Sequence, residues 1–143
     1  MSTIKIKKLD PKALIPRYQT AGSAGFDLCA LEGSEIASGE RALIRTGLAA
    51  EIPNGYELQV RPRSSIALRH GVTIANAPGT VDSDYRGELM IILINLGKET
   101  FTITAGDRIA QAVLKAVEQA TIVEVDVLGE TERGAGGFGS TGR

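Results

Sequence analysis

The amino-acid sequence predicts an all-β domain, a sandwich or barrel, on three observations. Ten or so short apolar or alternating segments run through the 143 residues, each closed by Gly, Pro or Asp, and these are the signals of strands and turns. Only Ile66–Arg69, behind Ser64 and Ser65 as candidate caps, reads as a helix. The 17 glycines, about 12 per cent against a usual 7 or so, imply many turns and sites lined by backbone.

The elements follow in order. Ile4, Ile6 and Leu9 alternate with lysines, a half-buried strand, and Pro11 and Pro16 exclude a helix there. The small-residue loop Ala21–Gly25 leads into Phe26–Leu31, where Asp27 either faces solvent by alternation or is held for a purpose. Arg41–Arg45 and Leu48–Ile52 read as two strands separated by Thr46-Gly47. After the turn Pro53-Asn54-Gly55, Tyr56–Arg61 alternates cleanly. Gly71–Asn76 is a short strand ended by Pro78-Gly79. Leu89–Ile94 is the most apolar run in the chain. Phe101–Thr104, Arg108–Leu114 and a last strand on Ile122, Val123, Val125 and Val127 complete the set.

Bulk properties exclude several classes. The length suits one domain. Sixteen basic and 17 acidic residues leave a net charge of −1, so neither direct nucleic-acid binding nor attraction to a membrane surface is expected. One Cys and one His supply neither a disulfide nor a His/Cys metal site. The first residues hold no apolar leader core, and no 18-residue apolar run occurs. The expectation is a soluble, cytoplasmic protein. No internal repeat is present.

Two stretches exceed what folding asks for. In Gly79–Gly87, Asp82, Asp84 and Tyr85 lie between glycines just before the apolar run. A polar hairpin explains Asp, Ser and Gly as turn formers; a ligand site explains the same residues as chemistry at a backbone open to close approach. From Glu130 the chain turns glycine-rich, with five glycines in the last ten residues. Such an end is a flexible terminus, or, with Arg133, Phe138, Ser140 and Thr141, a segment that wraps an anion.

Five segments, in order, resemble the trimeric dUTP diphosphatase (dUTPase) family. They are Ala24–Leu28, Arg61–Ala67, Asn76–Gly87, Gly106–Gln111 and Arg133–Gly142. One departure is Ser65-Ile66, where the family often has Gly-Leu. The resemblance implies a jelly-roll subunit over residues 1–129, a homotrimer with active sites at subunit interfaces, and a flexible arm over 130–143 that closes on the site. The implied reaction is dUTP plus water to dUMP and diphosphate, by attack on the α-phosphorus. It limits uracil incorporation into DNA and supplies dUMP for dTMP synthesis.

The resemblance also assigns roles. Asp82 aligns and deprotonates the attacking water, the work of a carboxylate general base. Asp27 positions Mg²⁺ through water, the metal preferring oxygen ligands and keeping several waters. Arg63, Ser64 and Ser65 hold phosphate oxygens, which suit a guanidinium fork, and Gln111 adds a neutral donor. Asn76, Gly79, Thr80 and Val81 read the uracil edge, and Tyr85 packs on the deoxyribose to exclude a 2′-hydroxyl. Met90 is either near substrate or a core methionine. Arg133, Gly139, Ser140 and Thr141 close over the phosphates, and Phe138 covers the uracil, a stack worth roughly 1–3 kcal/mol. A dCTP deaminase shares the fold, but Asp82–Tyr85 and the tail fit the diphosphatase better.

Overall fold

The apolar run in residues 88–95 buries every second side chain, and residues 108–116 add Ile109, Ala110 and Ala112 to the same core. The computed structural model describes residues 2–142. Ten strands form: β1 Lys5–Lys8, β2 Phe26–Cys29, β3 Ser34–Ile36, β4 Arg41–Glu51, β5 Tyr56–Arg61, β6 Val72–Ile74, β7 Gly79–Val81, β8 Glu88–Asn95, β9 Phe101–Ile103 and β10 Arg108–Ala116. The pairings are antiparallel. One four-stranded sheet runs β1-β4-β8-β6, a second β2-β10-β5-β7, and β3-β9 is a small third. A single core joins the two larger sheets: Ile44, Leu89, Ile91 and Leu93 from the first meet Phe26, Leu28, Leu58 and Ala112 from the second. The all-β expectation holds.

Thr46-Gly47 does not separate two strands, as the sequence suggested. It is a bulge inside β4, where the register with β8 shifts between Arg45 and Ala49. Side chains replace the missing ladder bonds: Thr46 Oγ1 donates to the Leu89 carbonyl (2.6 Å), and the Gly47 amide donates to Glu88 Oε1 (2.8 Å). The chain therefore kinks without turning back. Gly47 has φ +71°, and a Cβ there would lie 3.0 Å from both Ala13 and Leu31, so glycine is required on two counts.

The single helix among the described residues, α1 Ser64–His70, starts earlier than expected. Neither serine caps it. Arg63 is the extended residue before it, its side chain tied to Asp27 and to the Arg108 carbonyl, so Ser64 already lies inside the first turn. The strand β3 carries too little pattern to be read from sequence. The last expected strand does not form: residues 117–128 have no ladder partner among the described residues, and Ile122, Val123, Val125 and Val127 are exposed, Ile122 at 95 %.

Candidate active site

Local geometry makes the Gly79–Gly87 stretch a stapled loop. Gly79 is buried beside β5, where a Cβ would lie 3.3 Å from the Val60 side chain and 3.5 Å from Asn76 Nδ2. The loop then turns, with the Tyr85 amide donating to the Asp82 carbonyl (3.2 Å). The Arg86 guanidinium donates to the Ser83 and Tyr85 carbonyls (2.7 and 2.9 Å), and the Tyr85 hydroxyl donates to the Glu88 carbonyl (3.0 Å). Thr80, Val81, Asp82, Tyr85 and Met90 line one cavity of about 260 Å³. Asp82 also borders a second groove of about 620 Å³, with Glu57, Asp84 and Thr80. Met90 lies on the outer face of β8, 40 % exposed, so it is not a core methionine.

A second group forms at the far end of the β2-β10-β5-β7 sheet. Asp27, Gln111 and Arg61 are directly opposite one another on β2, β10 and β5, so their side chains share one face. Asp27 is clamped by two guanidiniums: Oδ1 meets Arg63 Nε at 3.1 Å and Oδ2 meets Arg108 Nη1 at 3.3 Å. Gln111 Nε2 donates to the Pro62 carbonyl (3.0 Å), and Gly25 leaves room for it, since a Cβ there would lie 3.1 Å from Gln111 Oε1. Arg108 was not singled out from the sequence; its place two residues after Gly106, in a segment already of interest, was the available signal. Ser64 and Ser65 stand beside this group, exposed in the first turn of α1. Cys29 is free, and burial first, then the nearby Asp27 carboxylate, raise its thiol pKa. It is not poised as a nucleophile.

One chain does not bring the two groups together. Val81 pairs with Leu58 while Gln111 pairs with Arg61, three residues further along β5, or roughly 10 Å. Neither cavity that holds Asp82 is lined by Asp27, Arg63 or Gln111. The tail residues Arg133, Phe138, Gly139, Ser140 and Thr141 join neither group. The tail's hydrogen bonds, among the described residues, close within three positions, as from Arg133 Nε to the Gly136 carbonyl, and Phe138 is fully exposed.

The donor set suits oxygen-loving metals only weakly on its own. No group of three or more His, Cys, Asp or Glu side chains able to hold a metal is found among the described residues. Both Asp27 oxygens already face guanidiniums. An oxygen-only carboxylate of this kind fits a hydrated Mg²⁺ brought by a polyphosphate, not a metal caged by protein.

Comparisons with known proteins agree on one family. Residues 11–142 match the family model described as dUTPase. A deoxyuridine 5′-triphosphate nucleotidohydrolase of Wolinella succinogenes is 61% identical over 98% of this chain and 94% of its own. One from Nautilia profundicola is 60% identical over 98% of this chain and 99% of its own. Among solved structures, the Staphylococcus bacteriophage 80alpha dUTPase with dUPNHPP superposes with a TM-score of 0.89 at 27% identity, covering 100% of both chains.

Proposed function

The chain belongs to the dUTPase family and hydrolyses dUTP to dUMP and diphosphate; on that premise we propose how its residues divide the work. The nucleoside binds at the Gly79–Gly87 loop, with the backbone of Gly79, Thr80 and Val81 and the Asn76 amide facing the uracil edge. A cytosine presents a donor where uracil has an acceptor, and the mismatch leaves buried groups unpaired, which discriminates by roughly 10⁴ or more. Tyr85 packs on the deoxyribose and Met90 lines the same cavity. Asp82 orients the water that attacks the α-phosphorus and accepts its proton.

The triphosphate binds at the Asp27 group. Its oxygens compete for Arg63, with Ser64, Ser65 and Gln111 as further donors. This frees a carboxylate oxygen of Asp27, the residue that would hold a hydrated Mg²⁺. Mg²⁺, when bound, neutralises charge on the phosphates. Residues 1–129 form the catalytic body, and the arm 130–143 closes over the nucleotide through Arg133, Gly139, Ser140, Thr141 and the Phe138 ring.

The observation that carries this reading is the split between the two groups. Asp82 and Tyr85 lie apart from the phosphate ligands of their own chain, and a second copy would supply them. Two apolar surfaces support such an assembly: Leu43, Met90 and Ile92 on the outer face of β4-β8, and the exposed Ile122–Leu128 segment. We assign a homotrimer with three shared sites. No helix among the described residues is long and apolar enough to cross a membrane, and the free thiol of Cys29 supports a cytoplasmic location.

The test is subunit mixing. Asp82→Asn and Arg63→Ala proteins, each assayed for diphosphate release from dUTP with Mg²⁺, are inactive alone. Dissociated and reassembled together, they regain part of the wild-type rate, because some interfaces then pair intact halves. No recovery in a mixed assembly of confirmed composition would place the site within one chain.

A further inference from the structure

Tyr85 holds its position because residue 87 has no side chain. The ring folds back over Gly87, so a Cβ built there would stand 2.3 Å from the Tyr85 hydroxyl oxygen, 2.5 Å from Cζ and 2.9 Å from Cε2. The hydroxyl ends on the Glu88 carbonyl at 3.0 Å, which locks the ring across the backbone of Gly87. The ring is 43 % exposed and borders the 260 Å³ cavity that also holds Asp82.

Gly87 has no backbone reason to be glycine. It is not among the glycines of positive φ, so alanine can adopt its conformation without strain. The colliding atoms belong to one end of a side chain, and Tyr85 can swing outward about χ1. A methyl at position 87 therefore displaces a ring and breaks its bond to Glu88, while the backbone, held by the Tyr85–Asp82 turn and by Arg86, keeps its path.

We propose that Gly87 is a positioning residue for sugar selection, setting the height at which Tyr85 lies against the nucleotide. This rests on the reading of Tyr85 as the group that packs on the deoxyribose. A folded-back ring presents a fixed surface with no space for a 2′-hydroxyl; a displaced ring presents a gap. Packing against an isostere that adds one hydroxyl discriminates by up to about 10²-fold, so losing the fixed ring removes much of that factor.

The experiment measures kcat/KM for UTP and dUTP in the wild type, Gly87→Ala, Tyr85→Ala and Tyr85→Phe, with melting temperature as the control. Gly87→Ala is expected to raise the UTP/dUTP ratio about tenfold, chiefly through KM, at unchanged melting temperature. Tyr85→Phe keeps the ring but not its bond to Glu88, and should raise the ratio less. Combining Gly87→Ala with Tyr85→Ala should give the ratio of Tyr85→Ala alone, since both changes act through one ring. A ratio unmoved by Tyr85→Ala overturns the reading of Tyr85 itself. A ratio raised by Tyr85→Ala but unmoved by Gly87→Ala overturns the inference about Gly87.

Discussion

Replacing Asp82 with asparagine isolates its charge. The side chain is exposed and belongs to no ion pair among the described residues. The loop that carries it is held by backbone and by Arg86 and Tyr85, none of which uses the Asp82 carboxylate. Asparagine has nearly the same shape, so stability should change by no more than about 0.5 kcal/mol. What disappears, on the proposed mechanism, is the acceptor of the attacking water's proton. Groups of that kind contribute about 10²–10⁴-fold, equivalent to roughly 2.7–5.4 kcal/mol of barrier. The assay is diphosphate release from dUTP under saturating substrate, beside calorimetric binding of a non-hydrolysable dUTP analogue and the melting temperature. Binding and melting should match the wild type while kcat falls by at least about 10²-fold. A wild-type kcat in Asp82→Asn would refute the assignment of Asp82 to the chemistry.

Three further outcomes are expected. A chain ending at Glu132 should assemble and melt as the full chain does, because among the described residues the tail's hydrogen bonds stay within residues 131–142, yet lose most dUTP turnover; undiminished activity would make the arm an ordinary terminus. Asp27→Asn should raise the Mg²⁺ concentration for half-maximal rate by about tenfold, the usual scale for a group that orients a metal's surroundings, and an unchanged Mg²⁺ titration would remove Asp27 from that role. Asn95→Ala should lower stability by about 3 kcal/mol or more. Asn95 is fully buried and its amide bonds the Ile36 and Glu99 carbonyls and the Gly97 amide; a melting temperature within a degree of wild type would show that these groups find other partners.

The sequence by itself determined the fold class, the family and the chemical types at the site. Alternation in Tyr56–Arg61 and the apolar run of Leu89–Ile94 are local signals of a strand's two faces, so they survive without knowledge of partners. Asp82 and Tyr85 stood out because folding alone does not ask for those residues between two glycines, whereas Arg63 and Gln111 were marked by the family resemblance of their segments. Only the tertiary structure decided how they are shared out. That Asp27 sits between Arg63 and Arg108, and that this cluster lies apart from Asp82, follows from the β2-β10-β5-β7 register, a set of long-range pairings with no local signature. The same cause explains the differences at three elements. Thr46-Gly47 reads as a turn until Glu88 and the Leu89 carbonyl, more than 40 residues away, supply its bonds. Ser64 reads as a cap until the ion pair to Asp27 fixes Arg63 as the last extended residue. Ile122, Val123, Val125 and Val127 carry a strand's pattern, but a strand needs a neighbour for its amides and carbonyls, and the register within this chain leaves them none.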